Sequence, residues 1–91
     1  MTPIVSLTEV GATTRIIDRP IAVVVGPDGT PRQFSYRGRQ RVQAIVDRWT
    51  EAGEWWDGEG ERTVYRVLSE RGSLFELELR DGQWRLYREY D

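Results

Sequence analysis

The sequence predicts an all-β (β-dominated) fold, an antiparallel meander curled into a small, partly open barrel or a bent sheet. Three observations predict it. β-branched and aromatic residues gather in short runs, and these runs are bounded by Gly, Pro and Asp turn signals. The last runs also pair with one another in only one sensible register. A chain of 91 residues with 38% hydrophobic residues and four tryptophans suits one domain. A chain of that size buries roughly two thirds of the surface it would expose unfolded.

In chain order, residues 1–14 carry the weakest signal, because Gly11-Ala12-Thr13-Thr14 breaks any period. They are expected to form a flexible arm, or a strand that only tertiary contacts could fix, leaving residues 15–91 as a single β-rich domain. Ile21-Ala22-Val23-Val24-Val25 lies between Pro20 and Gly26-Pro27-Asp28-Gly29 and reads as a strand entering a turn. Gln33-Phe34-Ser35-Tyr36 alternates and meets a second reversal at Arg37-Gly38-Arg39. The next run supports two readings. Val42, Ile45, Val46 and Trp49 recur at helical spacing, which allows one short helix near 42–52. The preceding hairpin signal and the missing cap favour a strand with a bulge near Ala44 to Val46. Glu51 to Glu61, with three glycines and five acids, reads as a solvated loop anchored by Trp55 and Trp56.

The C-terminal runs can be registered residue by residue. A three-residue loop Glu70-Arg71-Gly72 sets Val67 opposite Phe75 and Tyr65 opposite Leu77, with Arg66 opposite Glu76 on the other face. Asp81-Gly82 is a two-residue turn that sets Leu79 opposite Trp84, Leu77 opposite Leu86 and Glu78 opposite Arg85. A one-residue slip at either turn would put Phe75, Leu77 and Trp84 opposite charged neighbours, so pattern and turn chemistry agree. The predicted inner face is Tyr65, Val67, Phe75, Leu77, Leu79, Trp84 and Leu86.

Composition narrows the function. The chain has no cysteine and no histidine, which removes thiolate and imidazole chemistry and the commonest zinc ligands. All thirteen cationic residues are arginine, so Schiff-base chemistry is excluded too. A net charge of −2 and a pI of 5.2 argue against non-specific duplex binding. No apolar stretch is long enough to span a membrane, and Met1 to Leu7 lacks the pattern of a secretory signal, so a cytoplasmic location is expected. No enzyme activity, cofactor or metal is expected.

Four constellations remain. Glu76 and Glu78 share a strand face and would suit acid–base work if one were buried, but the register gives each an arginine partner, as on an ordinary solvated face. Asp57-Gly58-Glu59-Gly60-Glu61 alternates hard oxygen donors but lacks the spacing of a calcium loop. Arg32, Arg37, Arg39 and Arg41 surround Phe34 and Tyr36, a mixture that single-stranded nucleic acid favours on a small barrel. In the structural alternative the two rings join the core, and the acidic run to Glu61 could fold over the arginines. Trp55 and Trp56 point to opposite sides if extended, so one could be exposed; with the outward Tyr87 they are the candidate partner surface.

Phe34-x-Tyr36-Arg37-Gly38-Arg39, Trp49-x-x-x-Gly53-Glu54-Trp55-Trp56, Tyr65-Arg66-Val67 and Trp84-x-Leu86-Tyr87-Arg88-x-Tyr90-Asp91 together resemble a small bacterial family of unknown function. That family is similar to the C-terminal tail of Y-family polymerase-like accessory proteins of damage-inducible mutagenesis cassettes. The resemblance covers roughly Arg19 to Asp91. It implies a stand-alone, non-catalytic module of translesion synthesis or DNA repair that docks a polymerase, a clamp or a repair factor. The polymerase-like body of the larger proteins is missing, so no polymerase activity is carried over. The expected function is a protein-interaction module in DNA damage tolerance; the alternative is single-stranded nucleic-acid binding.

Overall fold

The computed structural model describes residues 14–51 and 61–90. They form β1 (Thr14–Pro20), β2 (Val23–Val25), β3 (Pro31–Ser35), β4 (Arg39–Glu51), β5 (Arg62–Ser69), β6 (Leu74–Arg80) and β7 (Gln83–Tyr90). All neighbours are antiparallel, in the order β1-β7-β6-β5-β4-β3-β2, and the sheet curls into a half-barrel. No helix occurs among the described residues, and hence none long and apolar enough to cross a membrane.

Two bent strands produce the curl. β1 and β2 lie at opposite ends of the strand order, yet only Ile21 and Ala22 separate them. The Ile21 N–H donates to the Trp84 carbonyl at 3.3 Å, and the Ala22 carbonyl accepts from the Ser35 N–H at 3.3 Å. The backbone thus passes from the β7 edge to the β3 edge within one peptide. β4 is shared in the same way: Arg39 to Arg41 pair with β3, whereas Val42 to Glu51 pair with β5.

β4 carries bulges between Val42 and Ala44 and between Ile45 and Asp47. The strand with a bulge near Ala44 to Val46 is therefore correct, and the short helix near 42–52 is not, since strand continues to Glu51. The helical spacing has a physical origin. Each bulge inserts a residue and resets the alternation, so Val42 and Ile45 face inward opposite Ser69 and Val67 while Trp49 faces outward opposite Val64. Among the described residues, β4 beyond Val42 has no partner on the side away from β5. The Asp47 carboxylate accepts from the Arg48 N–H at 2.8 Å, occupying one backbone donor of this edge. A cleft of about 180 Å³ opens where β3 and β4 diverge, between Thr30-Pro31-Arg32 and Val42–Ile45.

The hairpins β5–β6 and β6–β7 have the registers read from the sequence, including Val67 with Phe75, Tyr65 with Leu77, Leu77 with Leu86 and Leu79 with Trp84. Their turns use the conformations the residues imply: Gly72 has φ 93°, and Asp81 and Gly82 have φ 52° and 75°. Arg37 and Gly38 likewise have φ 55° and 94° at the β3–β4 reversal. One feature of β7 has no counterpart in the expected register: Tyr87 is an extra residue opposite Glu76–Leu77, which leaves both Tyr87 and Arg88 on the outer face.

Strand β1 begins at Thr14, the last residue of the expected arm; residues 1–13 lie outside the described residues. Its alternation is broken by an irregularity between Ile16 and Arg19, where Asp18 takes φ 49°. Asp tolerates that left-handed conformation better than most side chains.

The core inside the curl is Phe34, Tyr36, Tyr65, Val67, Phe75, Leu77 and Leu86, with Ile17, Ile21, Val23, Val42 and Trp84 packed against it. Phe34 and Tyr36 both meet Phe75 edge-on, with centroids 5.1 and 5.9 Å away. Leu77 is fully enclosed at the centre of β6. Truncation there, Leu77→Ala, is expected to cost about 2–5 kcal/mol in chemical denaturation. A loss below about 1 kcal/mol would show that this position is not the packed centre.

Candidate functional site

Alternation along β6 places Phe75 and Leu77 in the core and Glu76 and Glu78 on the outer face. Both glutamates are nevertheless only 3% exposed. Charges so enclosed need partners, and the neighbouring strands supply them. Glu76 Oε2 accepts from Arg66 Nη2 at 3.0 Å and from the Tyr90 hydroxyl at 2.6 Å, while Arg88 Nε lies 3.9 Å from Oε1. Glu78 Oε2 accepts from Arg62 Nη1 and Arg80 Nη2, both at 2.9 Å. Arg62 also binds Glu51 at 2.6 Å, and Glu51 accepts from the Trp49 indole N–H at 2.7 Å.

The same guanidiniums are stacked on rings. Arg66 Cζ lies 5.3 Å from the Trp49 ring centre and 5.6 Å from that of Tyr90. Arg88 Cζ lies 5.9 Å from Tyr90 and 5.2 Å from Tyr87, and Arg62 Cζ lies 5.4 Å from Tyr87. The outer face of β4–β7 is thus a row in which rings and cations alternate: Trp49, Arg66, Tyr90, Arg88, Tyr87, Arg62. Each contact contributes only about 0.5–1 kcal/mol at an exposed site, but together they fix six long side chains above two buried carboxylates.

Two expectations need correction. This is not an ordinary solvated face, because the row covers Glu76 and Glu78. The Arg66–Glu76 pair forms as expected, but Arg85, although opposite Glu78 in register, turns away. Its Nε and Nη2 donate to Asp18 Oδ1 and to the Asp18 carbonyl, each at 2.9 Å. The left-handed turn at Asp18 brings that carboxylate to Arg85, and Glu78 is served by Arg62 and Arg80 instead.

Of the expected partner surface, Tyr87 is half-buried within this row; Trp55 and Trp56 lie outside the described residues, as does the segment Asp57–Gly60 considered for metal. Of the expected nucleic-acid residues, Arg32, Arg37, Arg39 and Arg41 are exposed. Phe34 and Tyr36 have the core role: they are 1% and 5% exposed, and Tyr36 is approached by Arg19 Cζ and Arg37 Cζ, each 5.0 Å from its ring centre. Neither ring is open to stack on a base. Arg32 leans towards Asp28 at 3.9 Å, on a different turn. Sequence reasoning passed over Trp49, Arg62, Arg88 and Tyr90 as site residues. None of the four was legible from the register alone: the turn at Asp81-Gly82 puts Tyr87 opposite Glu76, and only the extra residue at Tyr87 brings Arg88 there instead and Tyr90 onto the outer face.

Removing one carboxylate, Glu76→Gln, is expected to cost about 2 kcal/mol or more. That lies below the roughly 3–5 of a fully buried pair, because Arg66 and Arg88 remain 35% and 31% exposed. Arg85→Ala breaks only an exposed pair with Asp18 and should cost less than about 1 kcal/mol. Equal losses in denaturation would contradict this ordering. Glu51 offers a pH test. The Trp49 indole hydrogen bond, then Arg62, holds its carboxyl below the usual range. Its small contribution to stability should be complete above the unfolded value and lost as pH falls through the lowered folded value. NMR titration following the Trp49 indole proton should show Glu51 titrating below the ordinary glutamate value; a midpoint at or above that value would refute the arrangement.

Comparison with curated proteins and with solved structures gives no match. The family model described as a domain of unknown function (DUF6504) matches residues 7–91, and the chain belongs to that family.

Proposed function

We propose that this domain is a non-catalytic protein-interaction module and that its partner binds the outer face of β4–β7. The observation that carries the reading is the row Trp49, Arg66, Tyr90, Arg88, Tyr87, Arg62, held from below by Glu76 and Glu78. Tryptophan, tyrosine and arginine are the residues most enriched at interface hot spots. Side chains already ordered by stacking and ion pairs lose little freedom on association, so more of each contact is realised as affinity. Glu76 and Glu78 act as the scaffold of this surface, since their oxygens are engaged by guanidinium and phenol donors.

Trp55 and Trp56 follow Glu51 closely in sequence and are assigned to the same partner in this proposal. The resemblance to the tails of mutagenesis-cassette accessory proteins supplies the setting: DNA damage tolerance in the cytoplasm, with a polymerase, sliding clamp or repair factor as partner.

The test uses the purified domain with a purified translesion polymerase and sliding clamp of the same host, measured by calorimetry. Tyr87→Ala is expected to weaken the complex roughly thirtyfold, the size of a hot-spot loss of about 2 kcal/mol. The circular dichroism spectrum should be unchanged. Trp55→Ala with Trp56→Ala should weaken binding as well. Binding to neither protein, or undiminished binding by all these variants, would sink the reading.

A further inference from the structure

The arginines outside that row are not scattered. The start of β1, the end of β7, the β3–β4 turn and the β5–β6 turn all meet at one end of the half-barrel. Arg15 stands opposite Glu89, which stands opposite Phe75, against which Tyr36 packs. Arg19 and Arg37 approach the Tyr36 ring. Arg71 reaches across from the neighbouring turn, its Nη1 lying 3.5 Å from the Arg37 carbonyl. Arg39 follows that turn on β4. Among the described residues, these five exposed arginines share the end with two carboxylates. Glu89 is 6% exposed and engaged by the Tyr36 hydroxyl at 3.1 Å and by Arg37 at 3.9 Å. Glu70, in the β5–β6 turn, is exposed.

Among the described residues, Glu51, Glu61 and Asp81 lie where β4 finishes, β5 starts and β6 turns into β7. That is the opposite end of β4 from Arg39. Twelve residue steps along a bulged strand separate the two by roughly 30 Å or more, several times the Debye length of about 8 Å at physiological ionic strength. The two ends therefore present separate fields, and the net charge of −2 describes neither.

We propose that this arginine-rich end binds the phosphodiester backbone of nucleic acid. Guanidinium forks match phosphate oxygens. The five arginines are spread over four separate segments, which suits a polymer with phosphates at intervals better than a single phosphorylated side chain. Tyr36 is closed over by Arg19 and Arg37, so no base is stacked here; recognition is by the backbone alone, without sequence preference and with strong salt dependence. This mode differs from base stacking on Phe34 and Tyr36, and it does not depend on the partner surface proposed for the outer face.

Fluorescence anisotropy with labelled oligonucleotides at low salt tests it, with a single-stranded arm and a duplex arm to show which form supplies the phosphates. Binding should weaken with added salt with a log–log slope of roughly −2 to −4. Arg71→Glu and Arg39→Glu should each lower affinity about tenfold or more and reduce the slope by about one. Arg85→Ala, a charge removed elsewhere, should leave affinity within about twofold. Tighter binding of a phosphopeptide than of either oligonucleotide, no binding to either oligonucleotide, or equal losses for Arg71→Glu and Arg85→Ala would each overturn the proposal.

Discussion

Two carboxylates placed on the outer side of an interior strand, β6, organise much of this molecule. A strand in the middle of a sheet can leave its outer positions in water, and then glutamate needs nothing. Glu76 and Glu78 are instead enclosed, so arginines must come to them from both neighbouring strands: Arg62 and Arg66 from β5, Arg88 from β7, and Arg80 from β6 itself. Long side chains drawn to fixed anions are held at fixed positions, and Trp49, Tyr87 and Tyr90 fill the spaces between them. The sheet thus has an aromatic and aliphatic core on one side and a second, ionic layer on the other. The surface that water or a partner meets is set by what lies beneath it.

What could be read in advance follows the range of the interactions involved. β5, β6 and β7 were legible because turn chemistry and hydrophobic alternation are both local and agree at Glu70-Arg71-Gly72 and at Asp81-Gly82. β4 was ambiguous because its two bulges give a strand the spacing of a helix, and only the pairing with β5 decides. β1 was illegible because its alternation is broken at Asp18 and its partner, β7, lies at the other end of the chain. The same distance explains the wrong partner assigned to Glu78. Arg85 turns to Asp18, 67 residues away, and nothing in either local sequence announces that contact. At the site, Tyr87 and the Arg66–Glu76 pair were legible, whereas the alternating row was not, since it joins side chains of three strands and depends on the extra residue at Tyr87.

The thirteen arginines divide by duty once the topology is known. Those of the ionic layer answer buried acids. Those at the end bearing the β3–β4 and β5–β6 turns mostly lack such acids and face solvent, while Glu51, Glu61 and Asp81 lie at the other end. Among the described residues, unpaired positive charge therefore gathers at one end of a chain that is close to neutral as a whole. Composition alone hides this, because a sum of charges carries no information about where the strands put them.

The single peptide that carries the chain from β1 to β2 also bears on how the molecule is made. β2, β3 and β4 pair with near neighbours in sequence, as do β5, β6 and β7, so these hairpins can form as they leave the ribosome. β1 cannot join them until its partner β7, the last of the seven described strands, has been synthesised. Docking of β1 closes a long loop and should be the slow, late step of folding. Until then its exposed apolar groups and free backbone edge are available to other chains, and the interval between emergence of β1 and completion of β7 is when the nascent domain is most vulnerable to mispairing.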